Sequence, residues 1–197
     1  AKAKGITPDR PIAVFVGSMS NAFDFRPVPD AARRLRSMRP DVQFVIAGNG
    51  PLRDELERDA ADLPNVVVPG WIDGAQIHAL LSMARVGMAP YLPRHDFESN
   101  ISNKIIEYLS AGLPVVTSLR RGLTVDLLGS TSTGASYDHA AEDGLAGALA
   151  ATVLPAEEWA AISARARAVF EERFDAHVVY ADYADYLAEV SLTRRGS

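Results

Sequence analysis

The stretch from Ser99 to Ser118, SNISNKIIEYLSAGLPVVTS, decides the fold. It reads as a polar lead-in, a short helix, a Gly-Pro break and an apolar strand. Asn100, or Ser102 two residues on, is suited to cap the helix by accepting from its free N–H groups. Ile105 and Leu109 stand four residues apart on one face, apolar and fit to pack on a sheet, while Asn103 and Glu107 share another face at the same spacing. Gly112 is placed to end the helix in the left-handed conformation, and Pro114 forbids continuation. Val115-Val116-Thr117 is β-branched and short, as a buried parallel strand should be.

The chain around this unit alternates strands with helices and has no internal repeat. Apolar runs at Ile12–Gly17, Val42–Ala47, Val66–Val68, Val86–Ala89 and Gly134–Tyr137 add five expected strands. Helices are expected over 28–38, 51–62, 73–84, 140–152, 156–172 and 176–189, with one turn over 124–128 and a plain loop over 90–99. Pro51 suits the first position of the second helix. Strands spaced by helices of this length argue an α/β fold. The expected form is a Rossmann-like, doubly wound parallel sheet of about six strands with helices on both faces, in a single domain. In such sheets ligands bind beyond the carboxyl ends of the strands, near the point where strand order reverses. The loops after the first four strands fall on that rim, and the helix read above starts from it. Residues 1–10 read as linker and 191–197 as tail, with the folded domain over 11–190.

Composition narrows the classes. With 197 residues, 48% hydrophobic and 23% charged, the chain suits one domain with a proper core. A net charge of −5 gives no nucleic-acid footprint. There is no cysteine, which removes disulfides, thiolate metal sites and a cysteine nucleophile. No apolar run approaches the ~20 residues that span a bilayer, and no signal peptide is legible, so a cytoplasmic location is expected. His78, His95, His139 and His177 have no ligand spacing among them, and no metal site is expected. The N-terminus of the 102–111 helix carries a partial positive charge and free amides, which favour an anion such as a phosphate. Glu107, further along it, is a carboxylate able to accept from both hydroxyls of a ribose, or simply a solvated partner of Lys104.

The run Glu107-Tyr108-Leu109-Ser110-Ala111-Gly112-Leu113-Pro114-Val115-Val116 resembles the E-x-x-A/S-x-G-x-P-V-V signature of GT-B type, group 1 nucleotide-sugar glycosyltransferases. That signature belongs to their C-terminal, donor-binding half, and the resemblance runs from about Pro11 to about Val190. It implies one half of a GT-B enzyme, with a nucleotide-diphosphate sugar as donor substrate, no cofactor, and a separate N-terminal acceptor-binding domain as partner. It further implies that the full enzyme moves a sugar to an acceptor, with retained configuration in most members and without a metal. The half alone is then expected to be inactive.

The resemblance also assigns places. The loop opening at Gly17 and Ser18 would approach the diphosphate or the sugar, although Phe23-Asp24-Phe25 stands where many members carry a lysine or arginine. Gly48, in Gly48-Asn49-Gly50-Pro51, matches a G-x-G-P turn of the family. Trp71 and Ile72 match the segment that reads the nucleotide base, with Gln76 on the following helix as an added contact. The family's paired glutamates map onto Ser99 and Glu107. The first is therefore missing, and Glu98 is one residue out of register. Asn100, Ile101 and Ser102 occupy the places of a Gly-Phe-Gly run whose amides meet sugar and phosphate, with Asn103 beside them and Lys104 as a point charge for the diphosphate. No catalytic residue is assigned. The departures leave a second reading open, a non-catalytic doubly wound module for nucleotide binding or protein contact with a degraded site.

Overall fold

The computed structural model describes residues 5–141, 143–153 and 155–195. In chain order the elements are β1 (Ile12–Val16), α1 (Pro27–Met38), β2 (Gln43–Ala47), α2 (Arg53–Asp59), β3 (Val66–Gly70), α3 (Gly74–Met83) and β4 (Ala84–Ala89). There follow α4 (His95–Glu98), α5 (Asn103–Ser110), β5 (Val115–Thr117), α6 (Leu123–Thr131), β6 (Gly134–Ser136), α7 (Gly144–Thr152), α8 (Ala156–Arg173) and α9 (Ala176–Arg195). Among the described residues the strands form one sheet of six, all pairs parallel, in the order β3-β2-β1-β4-β5-β6. The order reverses between β1 and β4, and that split is the topological switch point.

The strands alternate their side chains between two cores. Ala13 and Phe15 of β1 face α1, α2 and α7, through Val28, Leu35, Leu56, Leu145 and Leu149. Ile12, Val14 and Val16 face α3, α5, α6 and α8, through Leu80, Ile105, Leu109, Leu127 and Val169. Both faces of β1 and β2 are buried, which explains their apolar sequences; the one polar residue, Gln43, spends its side chain on Thr7 N–H and the Gly5 carbonyl. Trp159 of α8 ties that helix to β4: its indole N–H donates to the Arg85 carbonyl at 2.7 Å, and the Arg85 guanidinium lies over its ring. No single helix among the described residues is long and apolar enough to cross a membrane.

Several expectations are corrected in detail. α2 starts at Arg53, because Pro51 and Leu52 are spent in the turn that follows Gly50. β3 runs on to Gly70, whose carbonyl accepts from Gly48 N–H at 2.8 Å. The expected plain loop over 90–99 holds the one-turn α4, and the expected single turn after 124 is the nine-residue α6. α7 begins at Gly144 rather than 140; the Asp138 side chain instead accepts from the Ala140 N–H in a turn. Gly112 does take a φ of +70°, and Leu113 N–H returns to the Tyr108 carbonyl there.

Candidate functional site

Three loops leave the carboxyl ends of β1, β2 and β3 and are laced together by backbone. Gly17 N–H donates to Ala47 O at 2.9 Å, Met19 N–H to Asn49 O at 2.8 Å, and Gly48 N–H to Gly70 O at 2.8 Å. Such lacing requires the β1 and β2 loops to touch. At Gly48 the φ is +144°, and a Cβ there would overlap the Gly17 carbonyl oxygen. The glycine is therefore needed for the approach of one backbone to another, which is a sufficient reason for its presence without any ligand.

Between these loops lies an open cleft of about 310 Å³ lined by Val16, Gly17, Ser18, Ala47, Gly48, Asn49, Trp71, Ile72 and Ile77. Trp71 stands at its mouth with 69% of its surface exposed, so it is not a core aromatic. α3 starts immediately beyond Ile72 with a closed capping box. Asp73 accepts from Gln76 N–H at 2.8 Å, and the Gln76 side chain accepts from Asp73 N–H at 3.1 Å. That box occupies Gln76, which was read as a base contact, with its own helix. The cleft wall is thus a mix of exposed indole, aliphatic surface and glycine backbone, suited to a flat heterocycle. Two other hollows lie elsewhere. One of about 240 Å³ is between the β1 loop, Leu52 and α2, and a broad groove of about 750 Å³ separates α1 from the start of α7; neither is lined by Gly48, Trp71 or Ile72.

α5 adds the charge. Lys104, on its first turn, sends its ammonium across to donate to the Val16 carbonyl, beside Gly17. It lies 4.0 Å from the Phe15 ring centroid and 5.3 Å from that of Phe23. Burial lowers its pKa to about 8, against the opposing charge of Glu107. Lys104 thus brings a cation to the start of the β1 loop from another element. Phe23 and Phe25, read as the departure from the family pattern, pack against Phe15 at 5.0 and 4.8 Å and build the aromatic wall. Asp24 is buried and held by Arg26 through two side-chain bonds of 2.8 and 2.7 Å, which keeps its carboxyl below the usual carboxylate range.

Tyr108 carries chemistry that the sequence reading passed over. Its ring fills the space above Gly87, where a Cβ would collide with it. Its hydroxyl sits in the switch point, accepting from Val16 N–H at 3.2 Å and donating to Met88 O at 3.2 Å. Burial raises its pKa well above the ordinary phenol value. One side chain thus satisfies backbone groups of both diverging strands. The Tyr108→Phe variant is expected to lose about 1–3 kcal/mol, because Val16 N–H would be left buried without that acceptor. Urea denaturation of both proteins measures it.

The remaining candidates separate into groups. Gly17, Ser18, Gly48, Trp71 and Ile72 line one cleft. Lys104 joins them through Val16 and Gly17. Glu107 is exposed on α5, and its charge is felt by Lys104, Tyr91 and Tyr108. Asn103 is exposed one turn earlier on the same helix. Ser102 stands at the N-cap position but does not cap; its hydroxyl bonds that of Tyr91. Asn100 does not cap either, since its amide donates to the Asp96 carbonyl. The leading end of α5 therefore has no side-chain cap, contrary to the expectation. Ile101 packs on the core. Ser99 closes α4, its hydroxyl donating to the His95 carbonyl at 2.7 Å, and is not drawn into the cleft lining. Among the described residues no group of three or more His, Asp or Glu is placed to hold a metal.

The family model for "Glycosyl transferases group 1" matches residues 10–154. The chain belongs to this family. Among curated relatives, the GDP-mannose-dependent alpha-(1-6)-phosphatidylinositol dimannoside mannosyltransferase of Mycobacterium tuberculosis is 34% identical over 137 residues. That match covers 69% of this chain and 34% of the relative. A putative teichuronic acid biosynthesis glycosyltransferase of Bacillus subtilis is 26% identical over 52% of this chain and 25% of its own. The chain thus spans about a third or less of the length of these relatives. Two solved structures share the fold of this group 1 member. Anabaena HepE in complex with UDP superposes with a TM-score of 0.74 at 19% identity, over 92% of this chain and 49% of that one. The C-terminal domain of a group 1 family glycosyl transferase from Francisella tularensis gives 0.71 at 14% identity, over 89% and 91%. The Rossmann-like half of a GT-B glycosyltransferase is therefore the architecture of this chain.

Proposed function

We propose that this chain is the donor-binding half of a glycosyltransferase that moves a sugar from a nucleotide-diphosphate sugar to an acceptor. The observation that carries the reading is the convergence of Lys104 with the glycine loops: a cation, an uncapped helix start and an aromatic-edged cleft meet around the end of β1, beside the switch point. In this reading the base lies against Trp71 and Ile72. The diphosphate meets Lys104 and the leading amides of α5, and the ribose hydroxyls donate to Glu107. Relatives named for GDP-mannose and neighbours holding UDP support a nucleotide ligand and leave the base to be measured.

The chemistry follows from charge. As the sugar–phosphate bond breaks, negative charge grows on the departing diphosphate, and fixed donors stabilise it without rearranging. Lys104 and the α5 amides supply those donors, so the proposed reaction needs no metal, and transfer is proposed to retain configuration. The acceptor would sit on a second domain facing the same rim, and turnover is proposed to require it. Measurable transfer by these residues alone would overturn that requirement.

A calorimetric titration with uridine, guanosine and thymidine diphosphates tests the reading. One of them is expected to bind, and Glu107→Ala is expected to weaken it at least tenfold, about 1.4 kcal/mol, through loss of charged hydrogen bonds to the ribose. Unchanged affinity in the variant removes the ribose assignment. Absence of binding by all three favours the protein-contact module instead.

A further inference from the structure

We propose that Lys104 is an acylation site: its amine takes the acyl group of an acyl phosphate, which switches off anion binding at the cleft. The chain has three lysines against seventeen arginines, and Lys2 and Lys4 lie outside the described residues. Lys104 is therefore the only lysine from residue 5 to residue 195, a stretch whose other permanent cations are all arginines. Arginine does not lose its proton in proteins, whereas a desolvated lysine becomes a nucleophile near neutral pH.

The geometry sets this amine up for reaction. The rings of Phe15 and Phe23 and the Val16 carbonyl surround it and limit its hydration. Gly17 borders both the amine and the open cleft: it lines the cleft, and a Cβ built on it would lie 2.6 Å from Nζ, so at this residue no side chain stands between them. Burial also lowers its pKa to about 8, so a usable share is neutral at pH 7.5. An acyl phosphate brings an anion and an electrophile together, and its phosphate suits the same place as the proposed diphosphate.

In the reaction the Nζ lone pair forms a bond to the acyl carbon. The bond from that carbon to the phosphate oxygen breaks, inorganic phosphate leaves with the electron pair, and the proton on nitrogen passes to water. The product is a neutral amide with no charge to offer an anion. The effect on ligand binding rests on the nucleotide-site reading above; the acylation itself does not.

The test incubates the whole chain with acetyl phosphate at pH 7.5 and maps acetylated peptides against time. Lys104 is expected to react about tenfold faster than Lys2 and Lys4, because more of its amine is neutral. The preference is expected to vanish in urea, and the nucleoside diphosphate that binds is expected to protect. Lys104→Arg, which removes the nucleophile, should abolish the fast-labelled peptide and leave the slow labelling of Lys2 and Lys4. Labelling of Lys104 at or below the rate of Lys2 and Lys4, in a chain that binds nucleotide, overturns the acylation and leaves the site reading intact. Fast labelling that no bound nucleotide slows keeps the acylation and overturns the diphosphate assignment.

Discussion

Replacing Gly48 with alanine is expected to destabilise the protein by at least about 3 kcal/mol, lowering its melting temperature by roughly 6–12 °C. Two costs combine. The backbone has a φ of +144°, which an L side chain rarely adopts, and the added methyl would overlap the Gly17 carbonyl oxygen, part of the backbone that cannot rotate away. Relief requires parting the β1 and β2 loops, which sacrifices the bonds Gly17 N–H to Ala47 O and Met19 N–H to Asn49 O. Gly129→Ala is the matched control. It lies within α6, where an added methyl meets open space, and is expected to leave stability unchanged or slightly raised. Thermal and urea denaturation of the three proteins decide the matter. A Gly48→Ala protein as stable as the parent would show that the loops are not held in contact.

Replacing Lys104 with methionine is expected to weaken binding of the nucleoside diphosphate by about 10- to 100-fold, equivalent to a charged hydrogen bond of 1.5–3 kcal/mol. Binding of the corresponding nucleoside should scarcely change. Methionine keeps the apolar stem between Phe15 and Phe23 and removes only the ammonium. The same variant tests the electrostatics of folding. Burial lowers the Lys104 pKa to about 8, below the value near 10.4 of a free lysine. Between those values the unfolded chain binds more protons than the folded one, so the contribution of this group to stability rises with pH across that window and is flat below it. Lys104→Met should lack that rise and be more stable than the parent at pH 7. The diphosphate, by favouring the ammonium, should draw about half a proton at pH 8, seen by calorimetry in buffers of different ionisation enthalpy. Equal losses for nucleoside and diphosphate would sink the phosphate role.

The sheet was legible because each strand announces itself locally. Ile12–Val16 and Phe44–Ala47 are buried on both faces, which an apolar run satisfies. Capping was less legible. Asn100 and Ser102 have the right chemistry at the right offset, but Asp96 and Tyr91 claim them first, and those partners are set by the course of the 92–102 segment. The cleft was partly legible, since Gly17, Gly48 and Trp71 all follow strand ends. What escaped reading is contact between distant parts of the chain. The phenol of Tyr108 serves residues twenty and more than ninety positions away, and Gly87 is small only because that ring lies over it. Likewise the sequence offers Lys104 as a point charge, but only the structure shows that it reaches from α5 to the end of β1.

The bends at Gly17 and Gly48 continue the sheet's own bonding, so this rim is a frame and not a flap. A frame constrains how the cleft can diverge. Backbone bends that lean on one another resist insertion and deletion, whereas Trp71, Ile72 and Ile77 project into the opening from the one connection whose helix start closes on itself. Under the proposed base-binding role, exchange of those three side chains is the open route to a different preference for the flat ring, because the strands beneath need not be rebuilt.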